Sequence, residues 1–97
     1  MYKLDRARQR LNRGQFGVYV AQLNEQGPIR VGFSRDIPMR IKRIQADCPS
    51  GEIRLILSRS ALRMPDGLQG TLKPYAHPYG KDWYRCCAEV IQAVKDL

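Results

Sequence analysis

Long apolar runs are missing from this 97-residue sequence: its hydrophobic residues, 43% of the total, fall in short bursts. No window approaches the ~20 consecutive apolar residues that a membrane-spanning helix requires. No apolar stretch follows the basic residues of Met1 to Arg6 either, so a secretory signal is not expected and the chain reads as a soluble, cytoplasmic protein. Paired cysteines are also lacking. Cys48, Cys86 and Cys87 are odd in number and two are adjacent, which fits neither a disulfide framework nor the spacing of a zinc site. With a single histidine, His77 in a proline-flanked loop, a Cys–His nucleophile has one candidate base, and the plainer reading of that histidine is structural. Internal repeats and low-complexity tracts are absent, and the length suits one domain.

Acidic residues are the other scarcity. Seventeen Lys and Arg stand against nine Asp and Glu, a formal net charge of +8. The excess is lopsided: residues 1–43 hold ten basic and three acidic side chains, and residues 44–97 hold seven and six. A polyanion gains most from such a concentration, because each phosphate neutralised releases condensed counterions. A solvated basic surface serving solubility is the alternative. An anionic membrane surface fits less well, because the basic arm has no matching apolar face.

What is present is a clear order of elements. Lys3 to Arg13 carries charges at close intervals, with only Leu4, Ala7 and Leu11 at helical spacing. Residues 1–15 are read as a basic arm or short helix and residues 16–97 as the domain. From Phe16 the period is two, with Phe16, Val18 and Val20 on one side and Gly17, Tyr19 and Ala21 on the other. Asn24 to Pro28 is a turn, after which Ile29, Val31 and Phe33 alternate with Arg30, Gly32 and Ser34. This predicts an antiparallel hairpin with one apolar face, while Tyr19, Arg30, Gly32 and Ser34 share the other.

Asp36 before Ile37-Pro38 is a helix start, since the carboxylate accepts from free backbone N–H groups and proline suits the first turn. Ile37, Ile41 and Ile44 then share a face. Arg40 lies about 60° from Ile37, at the seam between helix and sheet, whereas Lys42 and Arg43 are expected to project toward solvent. Ile53, Leu55 and Leu57, with Ile56 on the opposite face, predict a third strand buried on both sides. Pro65-Asp66-Gly67 interrupts the next stretch, a short helix is expected from Leu68 to Leu72, and an aromatic loop follows. There Tyr75, Tyr79, Trp83 and Tyr84 serve either packing or stacking on unpaired bases. Cys87, Val90, Ile91, Val94 and Leu97 mark a C-terminal helix. The expected class is α/β (α+β), a small mixed or antiparallel three-stranded sheet flanked by helices.

A hairpin, a helix bearing an arginine, a third strand and further helices is the order found in the GIY-YIG nuclease superfamily, and specific residues resemble its signature. Gly17-Val18-Tyr19 looks like the first half, Arg30-Val31-Gly32 with Phe33-Ser34 like the second, and Arg40 falls where the catalytic arginine belongs. Gly80-Lys81-Asp82-Trp83-Tyr84 is similar to the ending of a branch common in phage and other small bacterial proteins. The resemblance spans roughly residues 16 to 84. It implies that Tyr19 helps activate a water and that Arg40 stabilises charge on a phosphate, with a metal-bound glutamate as the third partner.

Two signature positions depart from that pattern. Arg30 replaces the second tyrosine, which adds phosphate affinity but cannot exchange a proton near neutral pH. Gln69 stands at the expected glutamate position and Lys73 at the following histidine, and a neutral amide is a poor Mg²⁺ ligand. Glu52, Asp66 and Glu89 lie away from the family's place for it. The expectation is therefore a nucleic-acid-binding GIY-YIG-like domain with cleavage lost or weakened. Catalytic positions would be Tyr19 and Arg40, nucleic acid would be held by Arg30, Gly32, Ser34, Arg35, Lys42, Arg43 and Lys73, and no metal or cofactor is expected. The first alternative is an active endonuclease using Mg²⁺. The second is a phage or mobile-element inhibitor or regulator that binds a protein partner. DNA is the expected nucleic acid, and no membrane partner is expected.

Overall fold

The computed structural model describes residues 16–97. The reading of residues 1–15 as a basic arm lies outside the described residues. Strands β1 (Gly17–Leu23) and β2 (Ile29–Ser34) form the hairpin, followed by helix α1 (Ile37–Asp47) and strand β3 (Ile53–Ser60). Helix α2 (Leu68–Leu72) runs into a 3-10 turn at Lys73–Tyr75, and strand β4 (Trp83–Tyr84) precedes helix α3 (Ala88–Lys95). The class is α+β, as expected, but the sheet has four strands in the order β3-β1-β2-β4, all pairs antiparallel. The additional strand is two residues long, with Tyr84 opposite Ile29 and Trp83 opposite Arg30. A segment so short shows no period-two alternation by which it could be recognised.

Both faces of the sheet are covered. Val20, Ile29, Val31 and Ile56 pack against Leu68 and Leu72 of α2 and Val90, Ile91 and Val94 of α3. On the opposite face Tyr19, Ala21, Ile53 and Trp83 pack beneath Ile37 and Ile44 of α1. The hairpin thus has two buried faces instead of the single apolar one expected, and Tyr19 is only 1% exposed.

Strand β3 departs from strict alternation. Val20 pairs with Leu57 but Ala21 with Leu55, so Ile56 is an extra residue in a β-bulge. Beyond that bulge Leu57 joins Ile56 on the α2–α3 side, while Ile53 and Leu55 stay beneath α1. The expected grouping of Leu57 with Ile53 and Leu55 fails for this reason.

Helix α1 is pinned at both ends, which fixes the side chains it presents. The Asp36 carboxylate accepts from the Met39 backbone N–H at 3.1 Å, and Pro38 occupies the first turn. The Ser34 Oγ accepts from the Asp36 N–H at 3.1 Å, tying the cap to the end of β2. At the other end the Gln45 amide donates to the carbonyls of Cys48 and Gly51, at 3.2 and 2.8 Å, while its oxygen accepts from the Ile53 N–H at 2.8 Å. No helix among the described residues is long and apolar enough to cross a membrane.

Candidate functional site

The exposed edge of α1 faces the end of β2 and the loop before β4, and two adjoining hollows form there. The first, about 340 Å³, lies between Arg40, Arg43, Asp47 and Cys48 of the helix end and Arg30, Trp83 and Tyr79 opposite. The second, about 550 Å³, is bounded by Phe33, Ser34, Arg35 and Asp36 on one side and Met39, Arg40 and Arg43 on the other. Arg40 and Arg43 line both, so the two make one groove bordered by Arg30, Arg35, Arg40 and Arg43. No carboxylate of the described residues lies within ion-pair distance of these guanidinium groups; the pair that does form is Arg63 with Asp66 at 3.5 Å, elsewhere on the surface. Four guanidinium groups set against water, and not neutralised internally, create a local positive potential suited to anions.

The groove floor follows from one cross-strand pairing. Tyr19 sits directly opposite Gly32. The tyrosine ring lies over the glycine and fills the space a side chain would take: a Cβ on Gly32 would stand 2.7 Å from the Tyr19 hydroxyl oxygen and 2.9 Å from its Cζ. That hydroxyl accepts from the Arg30 Nε–H at 3.1 Å, and the Arg30 guanidinium carbon lies 5.6 Å from the centre of the Trp83 ring. Arg30 is therefore held from two sides, by a hydrogen bond and by a cation–π contact.

Because Tyr19 is confined, Gly32→Ala is expected to overpack the floor. A loss of about 2 kcal/mol, roughly 10 °C in Tm, is anticipated by thermal melting. The Arg30 Nε–H resonance should shift with it as the phenol is displaced.

The loop before β4 supplies the remaining wall. The Tyr79 hydroxyl donates to the buried Cys48 Sγ at 3.2 Å, its backbone N–H donates to His77 Nδ1 at 3.0 Å, and its ring meets Trp83 edge-on at 5.1 Å. Donation to Cys48 pushes the phenol pKa above its usual value, with desolvation and the Cys48 and Asp47 charges acting in the same direction. The Tyr79 phenol thus stays protonated and keeps its ring in place.

The residues expected from the sequence divide sharply in this geometry. Arg30, Arg35, Arg40 and Arg43 come together, and Ser34 lines the same groove, though it is buried and acts on the Asp36 cap. Gly32 lies beneath the Tyr19 ring. Tyr19 lines neither hollow and reaches the groove only through Arg30. Lys42 is exposed and borders neither hollow. Gln69 and Lys73 belong to α2 and the turn after it, in the layer on the far side of the sheet from α1. The His77 Nδ1 accepts from the Tyr79 backbone N–H, and the His77 backbone N–H donates to the Trp83 carbonyl.

Two participants escaped sequence reasoning. Asp47 and Cys48 line the smaller hollow, and Arg43, exposed as expected, borders it as well. A signal existed for the helical ones, since Arg40, Arg43, Ile44 and Asp47 fall within an arc of about 100°. Tyr79, one of the aromatic residues expected to serve packing or stacking, reaches the hollow from a distant loop.

The metal implied by the family resemblance can be tested against these donors. Among the described residues no three His, Cys, Asp or Glu side chains gather as a metal would require. The groove offers the carboxylates of Asp47 and Asp36, and Asp36 is engaged as the helix cap. The described donors alone do not make up a carboxylate-held Mg²⁺ centre. Comparison with known proteins adds no neighbour: no family model, curated protein or solved structure matches the chain.

Proposed function

We propose that this chain is a nucleic-acid-binding domain of GIY-YIG-like build, with DNA as its partner and with cleavage lost or weakened. The observation that carries the reading is the groove at the edge of α1, where four arginines without carboxylate partners among the described residues surround adjoining hollows. Guanidinium groups form paired N–H donors to phosphate oxygens, and a run of them along a helix edge follows a phosphate backbone. Such a protein works inside the cell, where DNA is available to it. The Tyr19 phenol is committed to Arg30 at the floor of the groove, so it serves arginine placement more directly than water activation.

A second reading, an active endonuclease, draws on Asp47, whose carboxylate lines the same hollow as Arg30 and Arg40. Fluorescence anisotropy with a labelled DNA duplex, run in EDTA, and a plasmid-nicking assay with Mg²⁺ or Mn²⁺ distinguish the two. Binding is expected to persist in EDTA with no nicking above background. Nicking that disappears in both Arg40→Ala and Tyr19→Phe would overturn the proposal in favour of the endonuclease.

A further inference from the structure

Resting on that nucleic-acid-binding reading, we infer that the smaller hollow seats a single unpaired nucleobase, so that the chain prefers nucleic acid with single-stranded or flipped-out nucleotides over blunt duplex. The two hollows differ in chemistry. The larger one gathers Arg35, Arg40 and Arg43, and the one carboxylate beside it, Asp36, is engaged by the helix it caps. The smaller one shares Arg40 and Arg43 and adds Arg30, but it also sets the Asp47 carboxylate at the helix end and Tyr79 and Trp83 across from it. Beside those arginines Asp47 offers an acceptor to the N–H edge of a base and Tyr79 a ring to stack on, so the hollow has partners for a base as well as for its phosphate.

Tyr79 is the platform. It is 47% exposed, an unusual state for an aromatic ring held by so many contacts. Its hydroxyl is bonded to Cys48, its backbone to His77 and its ring edge to Trp83, so little ordering cost remains when a base stacks on it. Trp83 itself is 4% exposed and has Arg30 over its ring, which leaves Tyr79 as the accessible aromatic surface of the hollow. At about 340 Å³ the space suits one flat ring system at the lower end of ligand pockets and is far too small for a base pair with its backbone. Arg40 and Arg43, shared by both hollows, can contact the phosphate of the same nucleotide or stack on its base.

The test is anisotropy with three labelled DNAs of one length at fixed KCl in EDTA: a single strand, a blunt duplex, and a duplex with one bulged nucleotide. The single strand and the bulged duplex are expected to bind ~5- to 150-fold tighter than the blunt duplex, the range set by stacking one base. Tyr79→Ala should erase that preference without changing the salt dependence, and Tyr79→Phe should restore most of it. Trp83, the one tryptophan, is a built-in reporter whose emission should change with the single strand and stay unchanged with the blunt duplex. Equal binding of all three DNAs, unaltered by Tyr79→Ala, would refute the base seat while leaving the arginine groove intact. Failure to bind any of them would refute both.

Discussion

Replacing Arg40 and Arg43 together by alanine is expected to weaken DNA binding about 10- to 100-fold near 0.1 M salt and to halve its salt dependence. If each of the four groove arginines meets one phosphate, the logarithm of affinity falls against the logarithm of salt with a slope of about −3.6. Raising KCl from 50 to 200 mM then costs the wild type roughly 150-fold in affinity and the double variant, with a slope near −1.8, about 12-fold. These two residues are chosen because they alone border both hollows. Both lie on the outer edge of α1, where alanine is a better helix former than arginine, so Tm should move by only a few degrees. Arg63→Ala is the control: that side chain is paired with Asp66 away from the groove and should leave the slope alone. Binding titrations across a KCl series measure all of this, and an unchanged slope in the double variant would remove these arginines from the interface.

The largest stability effect is expected at Gly17→Ala. Gly17 has φ of +152°, and a Cβ there would stand 2.0 Å from the Arg59 carbonyl oxygen and 2.9 Å from the Ala61 nitrogen. Those atoms are backbone of the neighbouring strand, so they cannot rotate aside as a side chain could; β1 and β3 would have to part. A loss of ~3–4 kcal/mol, some 15–25 °C in Tm, is anticipated, at the severe end of overpacking. Gly70→Ala provides the contrast. It lies within α2 with nothing within 4 Å of the added atom, so alanine there should stabilise by about 0.5–1 kcal/mol. Chemical denaturation of the three proteins tests the pair, and a Gly17→Ala protein as stable as the wild type would contradict the close approach of β1 to β3.

Gly17 also shows what the sequence could and could not disclose. The hairpin, the capped helix after Asp36 and the helix at Leu68–Leu72 were legible because each is governed by local rules: alternation, an N-cap with proline in the first turn, and breakers at fixed positions. The bulge at Ile56 was not, since an unbroken run of Ile and Leu supports either register and the choice is made by pairing with β1. Strand β4 exists only because Trp83 and Tyr84 meet the free edge of β2, a long-range contact with no local mark.

The site was legible to the same extent. Arg30, Arg35, Arg40 and Arg43 were found from charge and spacing, and Arg43 is exposed as expected while it borders both hollows. Tyr19 was singled out by its place in the signature, yet its burial follows from Gly32 opposite, because a ring beside a glycine closes over the gap. Tyr79 enters through the loop before β4, and only the folded chain brings it to Cys48.

The central claim is that nucleic acid lies against the edge of α1. It is tested most directly by following the arginine Nε–H signals in a ¹⁵N-labelled sample while a short DNA oligonucleotide is added in EDTA. The account predicts that Arg30, Arg35, Arg40 and Arg43 shift together and saturate together while Arg63 and Arg85 stay in place. Shifts confined to arginines outside the groove, with those four unmoved at saturating DNA, would contradict it.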